Sequence, residues 1–360
     1  MINKIKNKFS KRNIDALLIY DIFNVRYLSG YTSDDAYLLI TKDKNYFLTD
    51  PRYTEQASEE CPGFEIFNWR EINGDFSLAV SRIVKNENIK NLGVESHSIT
   101  LSYYNKISRN IEAQLVPVEG IVEDIRRIKN PEEINHIRKA CQIGDRAFNR
   151  IIKEIKVGKT EKELSALLAY YLKVEGSDAR NYENIFISGP RTSLLHGIPS
   201  DRKIQEGDLV LMDFGAGYKG YLSDMSRTVV VGKPTEKQKE VFKIAKQSEQ
   251  DMIDNVKAGV TGIELYEASL EAMNGTEYLE YNYSGVGHGV GLAVHEIPFL
   301  GPKSKHTIEA NNIITLEPGI YIPGWGGIRL EDQVLVTESG CEVLTKSSRQ
   351  FLELWHKLNF

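Results

Sequence analysis

The sequence predicts a two-domain α+β protein, in which a smaller α/β layered domain precedes a larger domain built on paired hairpins. Three observations carry this expectation. Residues 1 to about 120 alternate short apolar runs with helical patterns, the mark of a layered α/β arrangement. The remainder writes one helix–helix–hairpin pattern twice. Within those hairpins four acids, Asp213, Asp224, Glu317 and Glu331, stand at the ends of apolar strand-like runs, with His288 between the pairs in GVGHGVGL.

In the first domain IDALLIY, AYLLIT, NYFLTD, FEIFNW, NLGVE and AQLVPV read as strands, and RYTEQASEE, FSLAVSRIVKNEN and LSYYNKISRNI as helices between them. No phosphate-cradling glycine loop and no cluster of catalytic residue types appears there, so this domain is assigned no chemistry of its own. A boundary follows near residues 120–130. Asn130 reads as a helix cap with Pro131 at the first position and Glu132 and Glu133 in the first turn, where acids suit the helix dipole. Ile134, Ile137, Cys141, Phe148, Ile151 and Ile155 then recur at helical spacing. Thr160, with Glu163 three residues on, forms a capping box that opens a second helix running to about Gly176.

The repeat shows in short matches. KVGKTEKEL at 156–164 returns as KAGVTGIEL at 257–265, and HGIP beginning at His196 returns as HEIP beginning at His295. Asp213 is followed by Phe-Gly and Glu317 by Pro-Gly, and each opens a hairpin whose return strand carries another acid. Two such units related by a pseudo-twofold axis would bring the four acids together.

Composition narrows the function classes. A chain of 360 residues with 26% charged residues suits an ordinary globular protein, and a net charge of −5 argues against a nucleic-acid or anionic-membrane surface. Cys61, Cys141 and Cys341 are few, odd in number and far apart, which suits a reducing, cytoplasmic setting and offers no thiolate metal spacing. The opening MINKIKNKFSKR has no apolar stretch behind its basic residues, so it is not a secretory signal, and no run approaches the roughly 18 apolar residues of a membrane helix.

A carboxylate entering a core costs several kcal/mol unless it is paired or binds a metal. An isolated Asp213 or Glu317 reads equally well as a turn residue, and a histidine in a glycine run is more often part of a loop. Four acids in matched hairpins with one imidazole are harder to dismiss, and they suffice for two divalent cations. This hard ligand set suits Mn²⁺ or Co²⁺ first and Zn²⁺ or Fe²⁺ second, and disfavours copper or iron–sulfur chemistry. The chain therefore reads as a dinuclear metal hydrolase. His196 and His295, each followed by Ile-Pro two residues on, fit a substrate- or oxyanion-binding place better than the metals themselves. Arg329, two residues before Glu331, either orients a carboxylate or a substrate, or forms a structural salt bridge. His97, His136, His306 and His356 have no supporting context.

The segments DFGAGYKGYLSDMSRT, GHGVGLAVHEIP, LEPGIYIPGWGGIRLED and SGPRTSLLHGIPSDRKI closely resemble the signatures of the proline-specific pita-bread metallopeptidases. That family comprises Xaa-Pro aminopeptidases and Xaa-Pro dipeptidases (prolidases). NVRYLSGY, AYLLIT and TDPRYTEQA resemble its creatinase-like N-terminal domain, so the likeness covers essentially the whole chain. It implies an N-terminal creatinase-like domain over 1–123 and a pita-bread catalytic domain over 124–360. It implies that Asp213 chelates one metal, that Asp224 and Glu331 bridge both, and that His288 and Glu317 hold the other. It places His196, His295 and Arg329 among substrate-binding and transition-state residues, with Glu317 also moving a proton to the leaving proline nitrogen. It further implies peptide substrates with proline second, and a homodimer. Two departures stand out. Leu195 replaces the usual proline before His196, and Phe299 stands where some prolidases carry an arginine that reads a dipeptide carboxylate. Phe299 favours removal of an N-terminal residue from longer peptides over strict dipeptidase action. A metal-free amidinohydrolase on the same fold and a non-catalytic peptide-binding module are both disfavoured by the intact ligand set.

Overall fold

The computed structural model describes residues 1–179 and 183–355. His356 lies outside them. The chain divides into two compact units, Met1–Arg126 and Arg127–Phe360.

The first unit is built on six strands: β1 Ala16–Ile19, β2 Tyr37–Thr41, β3 Asn45–Thr49, β4 Glu65–Asn68, β5 Asn91–Glu95 and β6 Gln114–Val118. Their order in the sheet is β4-β3-β2-β1-β5-β6, with β1 antiparallel to β2 and parallel to β5. Side chains alternate along a strand, and β1 shows why its run is apolar throughout. Leu17 and Ile19 enter one core cluster with Phe47 and Val25, while Ala16 and Leu18 enter another with Phe76 and Ile83. A strand covered on both faces cannot spare a polar position. The expected helices appear as Thr54–Glu60, Phe76–Asn86 and Leu101–Asn110. Four further helices, Ile2–Lys6, Phe9–Arg12, Glu123–Arg126 and Ile22–Ser29, carry too few periodic apolar residues to stand out in the sequence. The last of them is nonetheless well signalled at its ends. Asp21 accepts hydrogen bonds from the Phe23 and Asn24 amides, and Gly30 closes it at φ +78°.

The second unit repeats itself as the sequence implies. Helix Pro131–Ile151 precedes helix Glu161–Val174, and helix Glu236–Asn255 precedes helix Gly262–Leu270. Thr160 with Glu163, and Thr261 with Glu264, form matching capping boxes, and each threonine makes an isolated antiparallel bridge, to Lys203 and to Thr307. Ile155 falls in the turn beyond the first helix and is fully buried there. The first half then supplies β7 Ile185–Ser188, β8 Leu209–Phe214, β9 Gly217–Tyr218, β10 Tyr221–Leu222 and β11 Met225–Val231. The second supplies β12 Gly287–Gly289, β13 Glu296–Leu300, β14 Ile313–Leu316, β15 Gly319–Ile322, β16 Gly326–Arg329, β17 Asp332–Val336 and β18 Cys341–Val343, and β19 Glu353–Leu354 closes the described chain. The antiparallel pairs β8/β11 and β14/β17 are the two hairpins carrying the acids.

The return strands of the two hairpins meet where the Glu331 amide donates to the Ser226 carbonyl at 3.2 Å. Arg227 secures this junction. Its guanidinium is buried and donates to the carbonyls of Ser226 (2.9 Å), Glu331 (2.6 Å), Ser347 (2.9 Å) and Ser348 (3.1 Å), and pairs with Asp332 at 2.5 Å. Breaking a buried charge pair typically costs about 3–5 kcal/mol. Arg227→Met is therefore expected to destabilise the protein by about that amount, read as a lowered denaturant midpoint. An unchanged midpoint would remove Arg227 from this role.

Candidate metal centre

The two hairpins aim their acids by simple strand geometry. Asp213 on β8 lies opposite Ser226 on β11. Asp224, two residues before Ser226, shares that residue's face, so Asp213 and Asp224 point the same way. In the second half Leu316 pairs with Asp332, which leaves Glu317 and Glu331 flanking the mouth of the hairpin where β15 and β16 continue outward. His288 comes from β12, threaded between β13 and β14. Glycine is required beside it, because a Cβ on Gly287 would sit 2.2 Å from the Thr315 carbonyl oxygen.

The side chains converge. The His288 Nε2 lies 3.4 Å from Glu317 Oε1 and 3.7 Å from Asp224 Oδ2. Asp224, His288 and Glu331, all buried, present ligand atoms within 4.8 Å of one another. The Nδ1 of His288 lies 3.0 Å from the Gly289 carbonyl. A carbonyl only accepts, so Nδ1 carries a proton, and Nε2 is the ring atom turned toward the acids. Asp213 joins the group through Arg329, whose Nη2 donates to Asp213 Oδ2 at 2.5 Å and whose Nε donates to Ser226 Oγ at 2.8 Å. The Ser226 hydroxyl in turn donates to Glu331 Oε2 at 2.7 Å.

Arg329 is only 3% exposed, and each of its three nitrogens is already engaged, Nη1 with the Tyr321 hydroxyl (2.9 Å) and the Leu195 carbonyl (3.3 Å). Of the roles open from the sequence (orienting a carboxylate, orienting a substrate, or a structural salt bridge), the geometry favours holding carboxylates over meeting substrate. His295 and His196 stand at the exposed edge of the group. The rings of His295 and His288 meet edge-on, 4.4 Å apart at 67°. Partial desolvation and the neighbouring charges of His288 and His196 push the His295 pKa down, which favours the neutral ring, and in either state the ring keeps an N–H to donate.

Ser226, Thr315, Tyr321 and Gln333 were not singled out from the sequence. Thr315 Oγ1 accepts the His288 amide (3.1 Å) and faces Glu317, and Gln333 Oε1 accepts the Asp224 amide (3.0 Å). A signal for three of them was present: Ser226, Thr315 and Gln333 each lie two residues from one of the acids, on the same strand face. The remaining histidines have ordinary settings. His136 packs near the rings of Tyr218 and Tyr221, His306 accepts the Phe299 amide, and in the first unit the His97 Nε2 lies 3.3 Å from Glu123.

The donor set fits divalent cations. Burial, then repulsion from Asp224, Glu317 and Asp213, drives the Glu331 carboxyl well above the usual range, and burial likewise raises Glu317. Carboxylates crowded against one another in a largely buried site call for positive charge, and Arg329 lies against one edge of them. Oxygen and imidazole donors without a thiolate are the set that hard or borderline divalent ions take.

Comparison with known proteins settles the family. Residues 135–338 match Metallopeptidase family M24, and residues 1–128 match the Creatinase/Prolidase N-terminal domain. The chain belongs to metallopeptidase family M24. This M24 metallopeptidase is 38% identical to an Xaa-Pro dipeptidase structure from Bacillus anthracis, with a TM-score of 0.94 over 98% of this chain and 99% of that one. It is 37% identical to the Xaa-Pro dipeptidase of Pyrococcus horikoshii over 98% of either chain. It is also similar to an X-Pro aminopeptidase structure from Thermotoga maritima, at 35% identity and a TM-score of 0.86, covering 94% of this chain and 97% of that one. The M24 metallopeptidase thus has the expected fold, a pita-bread catalytic half preceded by a creatinase-type α/β domain, and its family implies divalent metal ions. Among the described residues no helix is long and apolar enough to cross a membrane.

Proposed function

We propose that this M24 metallopeptidase is an Xaa-Pro dipeptidase, a prolidase, acting in the cytoplasm as a homodimer. The observation that carries the reading is near-full-length similarity to two proteins named Xaa-Pro dipeptidases, at 37% and 38% identity. This turns the balance from the longer-peptide reading that Phe299 suggests in the sequence toward its dipeptide alternative.

Asp213, Asp224, His288, Glu317 and Glu331 would hold two divalent cations, Mn²⁺ or Co²⁺ before Zn²⁺ or Fe²⁺. When bound, such a pair lowers the pKa of a water to near neutrality and polarises the scissile carbonyl. The protein's own side chains supply the rest. His295 offers its N–H to the carbonyl oxygen as negative charge builds there, and exposed His196 binds the substrate beside it. Glu317 takes the proton from the attacking water and delivers it to the departing proline nitrogen. Arg329 positions Asp213 directly and Glu331 through Ser226. Proline has no amide N–H and a fixed φ, so a bond to its nitrogen calls for a pocket of its own.

A second reading, removal of the N-terminal residue from longer Xaa-Pro peptides, draws on Phe299. It lies opposite His288 across β12 and β13, shares that face of the sheet and is 46% exposed, offering apolar surface and no donor to a free carboxylate. Comparing kcat/KM for Ala-Pro and Ala-Pro-Ala under equal Mn²⁺ loading separates the two. The dipeptidase reading expects at least a tenfold preference for Ala-Pro, about 1.4 kcal/mol. Equal or better cleavage of the tripeptide would sink it in favour of the aminopeptidase.

A further inference from the structure

We infer that Lys129, through Glu296, is a positioning residue for His295; this rests on the role just given to His295. Lys129 and Glu296 are 2% and 5% exposed, and the Lys129 ammonium donates to Glu296 Oε2 at 3.3 Å. A buried ammonium–carboxylate pair carries a desolvation cost that its attraction offsets only with good geometry and further hydrogen bonds, so its placement calls for a reason.

Its surroundings are built to hold it. Lys129 leads directly into the capped helix beginning at Pro131, and its amide donates to the Asn311 carbonyl at 3.0 Å. Asn312, next in the chain, donates from its side chain to the Arg127 carbonyl at 3.0 Å. The lysine backbone is therefore fixed before the side chain reaches inward.

Glu296 sits immediately after His295 at the start of β13. Its Oε1 accepts the Ala293 amide at 3.0 Å, closing the turn that contains His295. The same turn is tied by the Gly291 amide to the Ala293 carbonyl (3.0 Å), and the Leu222 amide reaches the Gly291 carbonyl (2.8 Å). A Cβ on Gly291 would fall 2.7 Å from both carboxylate oxygens, so the acid packs directly on the turn's backbone. One carboxylate thus clamps the turn with one oxygen and meets a buried cation with the other. The consequence is a fixed direction for the His295 ring, held edge-on to His288. An oxyanion donor works only while it is aimed where charge will develop.

The test is a double-mutant cycle in the full-length, Mn²⁺-loaded protein, with kcat for Ala-Pro hydrolysis, bound metal and thermal midpoint measured on each variant. Lys129→Met is expected to lower kcat by about 10–100-fold, the range for losing a partner that orients a working group, with metal content unchanged. His295→Ala/Lys129→Met should then be no slower than His295→Ala alone, because the lysine acts through that ring. A loss of general rigidity would instead multiply the two effects, and multiplicative losses would overturn the inference. Should Lys129→Met fail to fold, Glu296→Gln keeps the size of the clamp, removes its charge, and enters the same cycle. If His295→Ala alone left kcat unchanged, the assignment of His295 itself would fall, which is a distinct result.

Discussion

Asp224→Asn is expected to abolish turnover while leaving the fold in place. Asp224 is buried at the centre of the acids, 3.7 Å from the His288 Nε2, with its amide held by Gln333. The amide side chain has nearly the same shape, so packing and the Gln333 contact survive. What disappears is one of the negative charges that a shared cation needs. Metal assistance is worth several kcal/mol in the transition state, and at about 1.4 kcal/mol per factor of ten the loss is on the order of a thousand-fold or more. Metal analysis should show fewer than two ions per chain, with circular dichroism unchanged. Two retained ions with near-normal turnover would take Asp224 out of the centre.

His295→Ala should behave in the opposite way, keeping its metal and losing its rate. The ring stands at the exposed edge of the group, against His288 but outside the set of buried ligand atoms. Removing one donor to a developing oxyanion typically costs about 10²–10³ in kcat, and KM for Ala-Pro should change far less. A fall in metal content, with the lost rate restored by excess Mn²⁺, would make His295 a ligand and revise the division of labour at the site.

Much of this architecture is legible in the sequence because it rests on local signals. Strands β1, β2, β3 and β5 of the first unit are largely buried apolar runs, and the capping boxes at Thr160 and Thr261 announce the repeated helices. The acids announce themselves because strand ends such as LVLMD and NIITLE ordinarily carry no charge. What stayed hidden depends on contacts distant in the chain. Ser226 shares a strand face with Asp224, but its role emerges only when the Arg329 and Glu331 side chains arrive from more than a hundred residues away. Lys129 looks like a surface lysine before a helix, and only the folded chain sets it against Glu296. Arg329 kept three readings open because its partners, Asp213, Tyr321 and the Leu195 carbonyl, come from three other segments. The short helices near the N-terminus escaped for a different reason, since four or five residues are too few to display a period.

If Asp213, Asp224, His288, Glu317 and Glu331 hold two divalent ions, peptidase activity depends on those ions being bound. The most direct measurement strips the protein with a chelator and titrates Mn²⁺ back, following bound metal per chain and Ala-Pro hydrolysis together. The expected result is no hydrolysis in the stripped protein, saturation at two ions per chain, and activity that rises with occupancy. Undiminished hydrolysis by protein shown to be free of divalent metal would contradict it.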